Sequence, residues 1–327
     1  MESGYLKNLE ISRIIIINPS SQSGRTGKNK EILFNALTES FKNSKIIFTK
    51  KPGDGNKLAR QYLKKGYKEI LAVGGDGTIN EVGNGFFEII NGDKPDLIKN
   101  INPKAIFSIL PAGTRNVFAN SLGLPQEFEQ CVDSLSKLKP KKIDVITAIV
   151  TNPISKKPTK PRICFNAVEI GAAAEIIQRS KKVRSKINSR LISTITGIIS
   201  TVPTYTSNMF EITIDDKITI DQNVTICIIA NGKYLGGQFK VAPQSSMSDG
   251  YLDVILLLGS GSLMMLDGIV RMKSGNYFEK DNILYFKAKK IHIKSKERSV
   301  SISVDGEPIG ALPATFQILH KKLLMKY

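Results

Sequence analysis

Short apolar runs alternate with longer amphipathic stretches over the first 140 residues of the chain. The apolar runs predict four strands, at residues 13–18, 45–49, 69–73 and 105–110. The stretches between them predict three helices, near residues 28–41, 54–65 and 78–90. Strands that alternate with helices in this way predict an α/β fold, with a doubly wound, mostly parallel sheet.

The pattern changes after residue 142, where many short strand-like runs follow one another. One long helical region is predicted over residues 171–200, and a shorter helix is predicted near residues 263–272. Because short strands dominate the rest, we expect a mostly antiparallel β domain in this half. The predicted domains are 1–142 and 143–327, with the C-terminal strand free to return to the first sheet.

Composition narrows the classes of function. Three scattered cysteines (Cys131, Cys164 and Cys227) and two histidines (His292 and His320) argue against a zinc site, a disulfide framework or a histidine-based triad. We expect the cysteines to be buried thiols. The apolar runs are too short to cross a bilayer, and the first residues show no secretory signal pattern, so a cytoplasmic protein is expected.

The chain is strongly basic, with 47 Lys and Arg residues, 29 Asp and Glu residues and a net charge of +18. Such a surface attracts anionic lipid, nucleic acid or phosphate compounds. The charge does not choose among these partners, and a solvated surface with no specific partner also fits it.

Three polar loops that contain glycine follow predicted strands. They are "NPSSQSGRTGK" at 18–28, "GGDGTINE" at 74–81 and "LPAGTRNVFANSLGLP" at 110–125. Because ligands in such sheets bind at the carboxyl ends of strands, we expect the loops to meet at one edge. Glycines let backbone amides approach phosphate oxygens, and Asp76 is suited to a magnesium network or to a proton. The first loop lacks P-loop spacing, and each loop taken alone also fits a plain turn.

The chain carries "NPSSQSG", "GGDGT", "PAGTRN" and "VDGEP" in that order. This set resembles the diacylglycerol kinase catalytic family, which includes bacterial soluble diacylglycerol kinases, related bacterial lipid kinases and sphingosine kinases. The resemblance covers nearly the whole chain. It implies an NAD kinase- or phosphofructokinase-like first domain and an ATP- and Mg-dependent kinase of diacylglycerol or a related lipid alcohol. "GGDGT" alone also occurs in NAD kinases, so an NAD-kinase-like metabolite kinase is the alternative enzyme.

The resemblance also implies a role for each matching position. Glu307 would be the catalytic residue that activates the lipid hydroxyl, with Asp305 beside it, and Asp76 would join the magnesium network. Nucleotide contacts would come from Asn18, Pro19, Ser20, Ser21, Gln22, Thr49, Gly74, Gly75, Asp76, Gly77, Thr78, Ile79, Asn80 and Thr114. The stretch "SMSDGYLDV" resembles a structural metal loop, whose ligands would come from Ser246, Asp249 and Tyr251. By spacing alone, "SDGY" and "VDGE" are hairpin turns.

Three positions depart from the family pattern. Gln22 stands where the family loop usually has glycine, Val117 stands where many bacterial members have aspartate, and Ala173 replaces a frequent aspartate. None of these changes removes Asp76 or Glu307, so catalysis is still predicted. The departures bear on the metal arrangement and on the identity of the lipid.

A basic amphipathic helix is predicted within residues 178–200, because Arg179, Lys182, Lys186 and Arg190 recur at helical spacing. Such a helix fits peripheral contact with an anionic membrane, at the inner membrane surface of the cell. A helix packed on the second domain with a solvated basic face fits the same pattern.

A different class of function is a non-catalytic protein that binds anionic membrane or nucleic acid through the +18 charge. The sequence shows no nucleic-acid-binding motif and few aromatic residues, so no nucleic-acid partner is expected. The oligomeric state is not fixed by the sequence, and a homodimer is compatible with it.

Overall fold

The computed structural model describes residues 13–21, 30–90, 98–184, 187, 189–236, 239–259, 261–277 and 281–327. Within these residues, fourteen strands form one mixed sheet and two further strands pair separately. The two halves of the chain contribute to this sheet in different ways.

The first half alternates strands and helices. In chain order its elements are β1 (Arg13–Ile17), α1 (Lys30–Ser40), β2 (Ser44–Phe48), α2 (Asp54–Lys64), β3 (Glu69–Gly74), α3 (Asp76–Asn84), β4 (Phe87–Ile89), β5 (Ile98–Asn100), β6 (Ile106–Pro111), α4 (Val117–Ser121) and α5 (Phe128–Lys137). Strands β2, β1, β3 and β6 lie side by side in that order and are parallel. Ile14 to Ile17 in β1 are fully buried, which explains the unbroken apolar run. The doubly wound arrangement stays a prediction.

The third predicted helix ends earlier than its apolar pattern suggested. The prediction of 78–90 is wrong at its end, because α3 ends at Asn84 and Phe87–Ile89 form β4, which pairs with β5. Gly85 lies at the junction, where a Cβ atom would come within 2.7 Å of the Ala59 side chain in α2. Glycine therefore allows α2 and α3 to pack closely.

The second half consists mainly of antiparallel strands, as predicted. Its elements are β7 (Pro140–Thr151), β8 (Arg162–Cys164), β9 (Ala167–Gly171), α6 (Ala172–Arg184), α7 (Arg190–Thr201), β10 (Asn208–Ile214), β11 (Ile218–Ala230), β12 (Leu252–Leu258), α8 (Ser262–Ser274), β13 (Ile283–Ala288), β14 (Lys290–Ser295), β15 (Ser301–Val304) and β16 (Glu307–Lys326). The pairings recorded among these strands are antiparallel. The three cysteines are buried thiols, as predicted.

Strand β16 joins the two halves into one sheet. It pairs with β7 along most of its length and with β14 between Ala314 and Gln317, and near its end Met325 lies opposite Phe107 of β6 in parallel register. Leu323 and Met325 pack in the core of the parallel strands. The predicted boundary at 142–143 falls inside β7, so the sheet does not divide there, and the division into two domains stays a prediction.

The single helix predicted over 171–200 is wrong, because this stretch forms two helices, α6 and α7, that pack against each other. At their crossing, a Cβ atom on Gly197 would lie 2.1 Å from the Ser180 hydroxyl oxygen. Only glycine permits this approach. Arg179 takes part in the packing, since it pairs with Glu175 and donates a hydrogen bond to a carbonyl of α7.

The predicted basic stripe is therefore not one continuous helix face. Lys186 lies outside the described residues, and the described part of the chain does not include the side chain of Arg190. Lys182 is exposed on α6. None of the described helices is long and apolar enough to span a membrane.

Candidate active site

A cleft of about 270 Å³ lies where the loops after β3 and β6 face the hairpin between β15 and β16. Nine of the predicted site residues line it: Ser21, Gly75, Asp76, Gly77, Ile79, Asn80, Thr114, Asp305 and Glu307. Loops that follow parallel strands emerge at the same edge of a sheet, which explains why the loops after β3 and β6 lie together. The hairpin reaches this edge because β15 pairs with both β9 and β16.

The glycines of "GGDGT" allow close contacts in the wall of the cleft. A Cβ atom on Gly74 would lie 2.6 Å from the Thr78 side chain, and a Cβ atom on Gly113 would lie 2.3 Å from the Gly75 Cα atom. The loops after β3 and β6 thus cross backbone against backbone. Such an approach leaves no room for larger residues, and it places the first turn of α3 at the cleft.

Six predicted nucleotide-binding residues are not among the described residues that line the cleft: Asn18, Pro19, Ser20, Thr49, Gly74 and Thr78. Asn18 shapes the loop after β1, because its side chain donates to the Thr78 hydroxyl at 2.9 Å and accepts from the Ser20 backbone amide. The Thr49 amide donates to the end of β1. Gln22 lies outside the described residues. The nucleotide contacts assigned to these positions stay predictions.

Asp76 is the first residue of α3, where the helix dipole favours negative charge. Its Oδ1 atom accepts a hydrogen bond from the Phe118 backbone amide at 3.2 Å. Burial raises the pKa of Asp76 above its ordinary value, and the Asp305 carboxylate raises it further, whereas the amides of Phe118 and Val117 lower it. A cation at this carboxylate would therefore relieve an unfavourable charge.

Asp305 is hydrogen bonded through both of its oxygens. Together with Gly306 it forms the two-residue turn between β15 and β16, with φ values of 48° and 77°, so the hairpin read from spacing is present. Its carboxylate accepts hydrogen bonds from the Asn80 side chain, the Cys164 thiol and the backbone amides of Phe165, Asn166 and Ala167. Because its oxygens are occupied in this way, the geometry favours a positioning role for Asp305 over a direct catalytic one.

Glu307 is the first residue of β16 and faces α3 across the cleft. Arg162 donates from Nη2 to Glu307 Oε2 at 2.9 Å. The other oxygen, Oε1, lies 3.6 Å from the place that a Cβ atom on Gly77 would take. The arginine thus holds one oxygen while the other faces the glycine loop. Sequence reasoning missed Arg162, because a lone arginine at the start of a short strand matches no motif.

The acidic side chains of the cleft suit a magnesium ion that has few protein ligands. Asp76 and Glu307 line the same cleft, and magnesium is usually bound through one or two carboxylates, with water and phosphate oxygens completing its octahedron. Among the described residues, no group of three or more His, Cys, Asp or Glu side chains is placed to hold a metal. The donor set therefore fits a magnesium ion that binds together with nucleotide phosphates.

The predicted structural metal loop does not line the cleft, and it is paired with a lysine. Lys287 Nζ lies 2.5 Å from Asp249 Oδ2 and 3.7 Å from Asp253 Oδ1. Asp249 also accepts a hydrogen bond from the Tyr251 backbone amide, and Ser246 is exposed. An ammonium group on the one predicted carboxylate ligand does not fit a magnesium ion there. The metal site assigned to Ser246, Asp249 and Tyr251 is therefore not carried into the mechanism.

A narrower apolar pocket, of about 80 Å³, adjoins the cleft and lies between α6, α7, α8 and β11. Its apolar walls include Ile176, Ile198, Ile226, Phe239 and Met272. Four residues line both the pocket and the cleft: Arg115, Ile177, Leu235 and Gly236. Sequence reasoning missed this pocket because its walls come from distant elements that only the tertiary structure assembles.

Two domain families match the chain in succession. The diacylglycerol kinase catalytic domain matches residues 12–148, and the YegS C-terminal NAD kinase beta sandwich-like domain matches residues 166–325. The chain belongs to the diacylglycerol kinase catalytic-domain family. Members of this family are kinases, so the cleft is the candidate active site of a diacylglycerol kinase-like enzyme.

The chain aligns with its curated relatives along most of their length. The chain is 25% identical to a diacylglycerol kinase of Bacillus subtilis over 94% of both chains. It is 28% identical to a diacylglycerol kinase of Staphylococcus epidermidis, over 94% of this chain and 90% of that protein.

Solved structures show the same fold. A Bacillus anthracis protein provisionally classed as a diacylglycerol kinase superposes with a TM-score of 0.74, at 25% identity and 97% coverage of both chains. Yeast NADH kinase superposes with a TM-score of 0.50, at 12% identity, over 98% of this chain and 83% of that chain. The second likeness concerns the fold alone.

Proposed function

We propose that the protein is an ATP- and magnesium-dependent lipid kinase, which phosphorylates a hydroxyl of diacylglycerol or a related lipid alcohol. The observation that supports a lipid acceptor is the apolar pocket that adjoins the cleft and shares four lining residues with it. A long-chain alcohol would place its hydroxyl in the acidic cleft and the adjoining part of its chain in the pocket. A polar metabolite such as NAD has no use for such a pocket.

In the proposed reaction, the acceptor oxygen forms a bond to the γ-phosphorus of ATP while the bond to the β-phosphate oxygen breaks. Glu307 accepts the hydroxyl proton through Oε1, with Arg162 holding its other oxygen. The backbone amides of the first turn of α3 stabilise negative charge on the phosphates. Asp76 would hold the magnesium ion, which supplies positive charge to the phosphate oxygens.

The proposed enzyme acts peripherally at an anionic, inner membrane surface. Exposed apolar side chains lie on the two helices that border the apolar pocket, at Ile192, Ile195 and Ile199 of α7 and at Leu263, Leu266 and Val270 of α8. A net charge of +18 adds attraction to anionic lipid. Sedimentation with vesicles at low salt should show stronger binding to anionic than to zwitterionic vesicles, and equal binding would contradict the membrane proposal.

The test of the function is a radiolabelled-ATP screen against a panel of lipid alcohols, with NAD as the competing acceptor. We expect lipid phosphorylation, and we expect Asp76→Ala and Glu307→Ala each to lower kcat/KM by about 10²–10⁴-fold while vesicle binding stays nearly intact. Asp249→Ala is the matched control, because Asp249 is an acidic residue that does not line the cleft. Phosphorylation of NAD alone, or turnover like that of the wild type in both cleft variants, would refute the proposal.

A further inference from the structure

Glu169 is a buried acid in the cleft that the proposed reaction leaves without a role. It lies in β9, is fully buried and lines the same cleft as Asp76 and Glu307. Neither of its carboxyl oxygens accepts a hydrogen bond of good geometry among the described residues, although the Gly306 backbone amide lies close enough to lower its pKa. Burial raises the pKa of Glu169 well above its ordinary value, and the Asp305 carboxylate raises it further.

The position of Glu169 is on the acceptor side of the cleft. In the sheet it lies opposite Ile228 of β11, a residue that lines the apolar pocket, and opposite Ser303 of β15. The loops that carry the predicted nucleotide contacts follow β1, β2, β3 and β6 on the other side. Glu169 therefore lies where an acceptor with its chain in the pocket would bring its polar head group.

Other oxygen atoms around Glu169 also lack partners. Asn166 Oδ1 and Ser303 Oγ are buried and have no hydrogen bond within the described residues. The Asn166 side-chain nitrogen donates to the Tyr234 carbonyl, and its Oδ1 atom lies 2.1 Å from the place that a Cβ atom on Gly232 would take. Lys181, which lines the cleft from the exposed surface of α6, lowers the pKa of Glu169 without forming a hydrogen bond to it.

The two buried oxygens of Glu169 thus form no hydrogen bond of good geometry within the described residues, and the unpartnered Ser303 hydroxyl opposite can supply one donor. A buried polar atom without a partner costs free energy, so a ligand that supplies a donor would bind favourably. The proton of a neutral Glu169 lies on one of its own oxygens, so the other oxygen remains an acceptor for a ligand donor. Diacylglycerol has one hydroxyl, which is the group that reacts, and its ester oxygens only accept hydrogen bonds.

Resting on the lipid kinase function proposed above, we propose that Glu169 selects an acceptor lipid with a second hydrogen-bond donor beside the reacting hydroxyl. The donor is a further hydroxyl or an ammonium group, as in a monoacylglycerol or a long-chain amino alcohol. Glu169 receives this group, and the apolar pocket receives the adjoining chain.

The test compares kcat/KM for three acceptors with C18 chains in mixed micelles: dioleoylglycerol, monooleoylglycerol and a C18 2-amino-1,3-diol. We expect the wild type to prefer the better of the two donor-bearing acceptors over dioleoylglycerol by at least about tenfold. The preference should shrink about tenfold in Glu169→Gln and fall to about one in Glu169→Leu. Asp253→Asn is the matched control, because Asp253 is also buried with an unpartnered oxygen but does not line the cleft, and it should keep the preference.

The outcomes separate this inference from the proposed function. Lipid phosphorylation with no preference for either donor-bearing acceptor, or with the preference intact in Glu169→Leu, overturns the role of Glu169 alone. If no lipid is phosphorylated, the kinase proposal fails, and binding of a short-chain 2-amino-1,3-diol decides the inference. A thermal shift in the wild type that is lost in Glu169→Gln supports the role, and equal shifts in both overturn it.

Discussion

Two acidic regions of the molecule differ in how their charge is balanced. At the loop around Asp249, Lys287 lies within 4 Å of two carboxylates and pairs with both. In the cleft, Glu307 is paired with Arg162, Asp305 is satisfied by amide and thiol donors, and Glu169 has no hydrogen bond of good geometry among the described residues. In the first region a lysine pairs with both carboxylates, and Asp253 Oδ2 alone lacks a hydrogen bond among the atoms described there, whereas the second region leaves both oxygens of Glu169 as acceptors that line the cleft.

This difference indicates which carboxylates are candidates for binding a ligand. An acid that is paired with a lysine gains less from a further cation, because the ammonium already offsets part of the local negative charge. An acid that is buried without a partner has a free-energy cost, and a ligand can remove that cost when it binds. By this reasoning, we do not propose a metal site at the motif "SMSDGYLDV". We propose instead that Glu169, which belongs to no motif, binds a ligand.

The largest effect on stability is expected when the Asp305 carboxylate is removed. Asp305→Ala leaves several buried donors without an acceptor, so we expect the free energy of unfolding to fall by about 3–5 kcal/mol in urea titration. Asp305→Asn keeps one acceptor oxygen and tolerates the positive φ at this position, so a smaller loss is expected. A loss under about 1 kcal/mol in the alanine variant would mean that the hairpin does not depend on these bonds.

An intermediate effect is expected at Glu169, with a defined pH dependence. Because burial raises its pKa above the ordinary value of 4.5, the folded protein keeps a proton that the unfolded chain has released above that pH. The wild-type free energy of unfolding therefore falls through this window as pH rises, while Glu169→Gln does not titrate there. Urea unfolding at pH 5, 6.5 and 8 should show that the free energy of unfolding of Glu169→Gln increases relative to that of the wild type as pH rises. The relative increase should reach about 1–3 kcal/mol at pH 8. A difference that does not change with pH would show that Glu169 is solvated or paired.

The smallest effect is expected at Lys287. Lys287 and Asp249 are both partly exposed, and Asp253, which is buried, keeps its hydrogen bond from the Tyr285 hydroxyl, so Lys287→Met should cost at most about 1 kcal/mol. Without nucleotide, magnesium should leave the wild-type Tm unchanged but raise the Tm of the variant by about 2 °C, since its two carboxylates are then free for a cation. Lys290→Met, which breaks the exposed pair with Asp216, is the control. A clear magnesium response in the wild type would restore the structural metal site.

Much of the fold followed from patterns that depend on near neighbours. Buried parallel strands must be apolar throughout, so β1, β3 and β6 were predicted within one or two residues. The prediction of one long helix over 171–200 was wrong because helical spacing continues across a turn. The packing of α7 back against α6 depends on the contact between Gly197 and Ser180, which lie on separate helices. Periodicity within one segment carries no information about such contacts.

The sequence by itself determined the family motifs and the alternation of strands and helices, because residue types and their local spacing carry these features. It also gave Asp76 as a candidate from its glycine loop, and Glu307 as a candidate through the family resemblance. Only the tertiary structure decided that Arg162 holds Glu307, that Lys287 pairs with the predicted metal ligand, and that an apolar pocket adjoins the cleft that Glu169 lines. Each of these depends on side chains that strand pairing or helix packing brings together, and partners far apart in the chain leave no local signature.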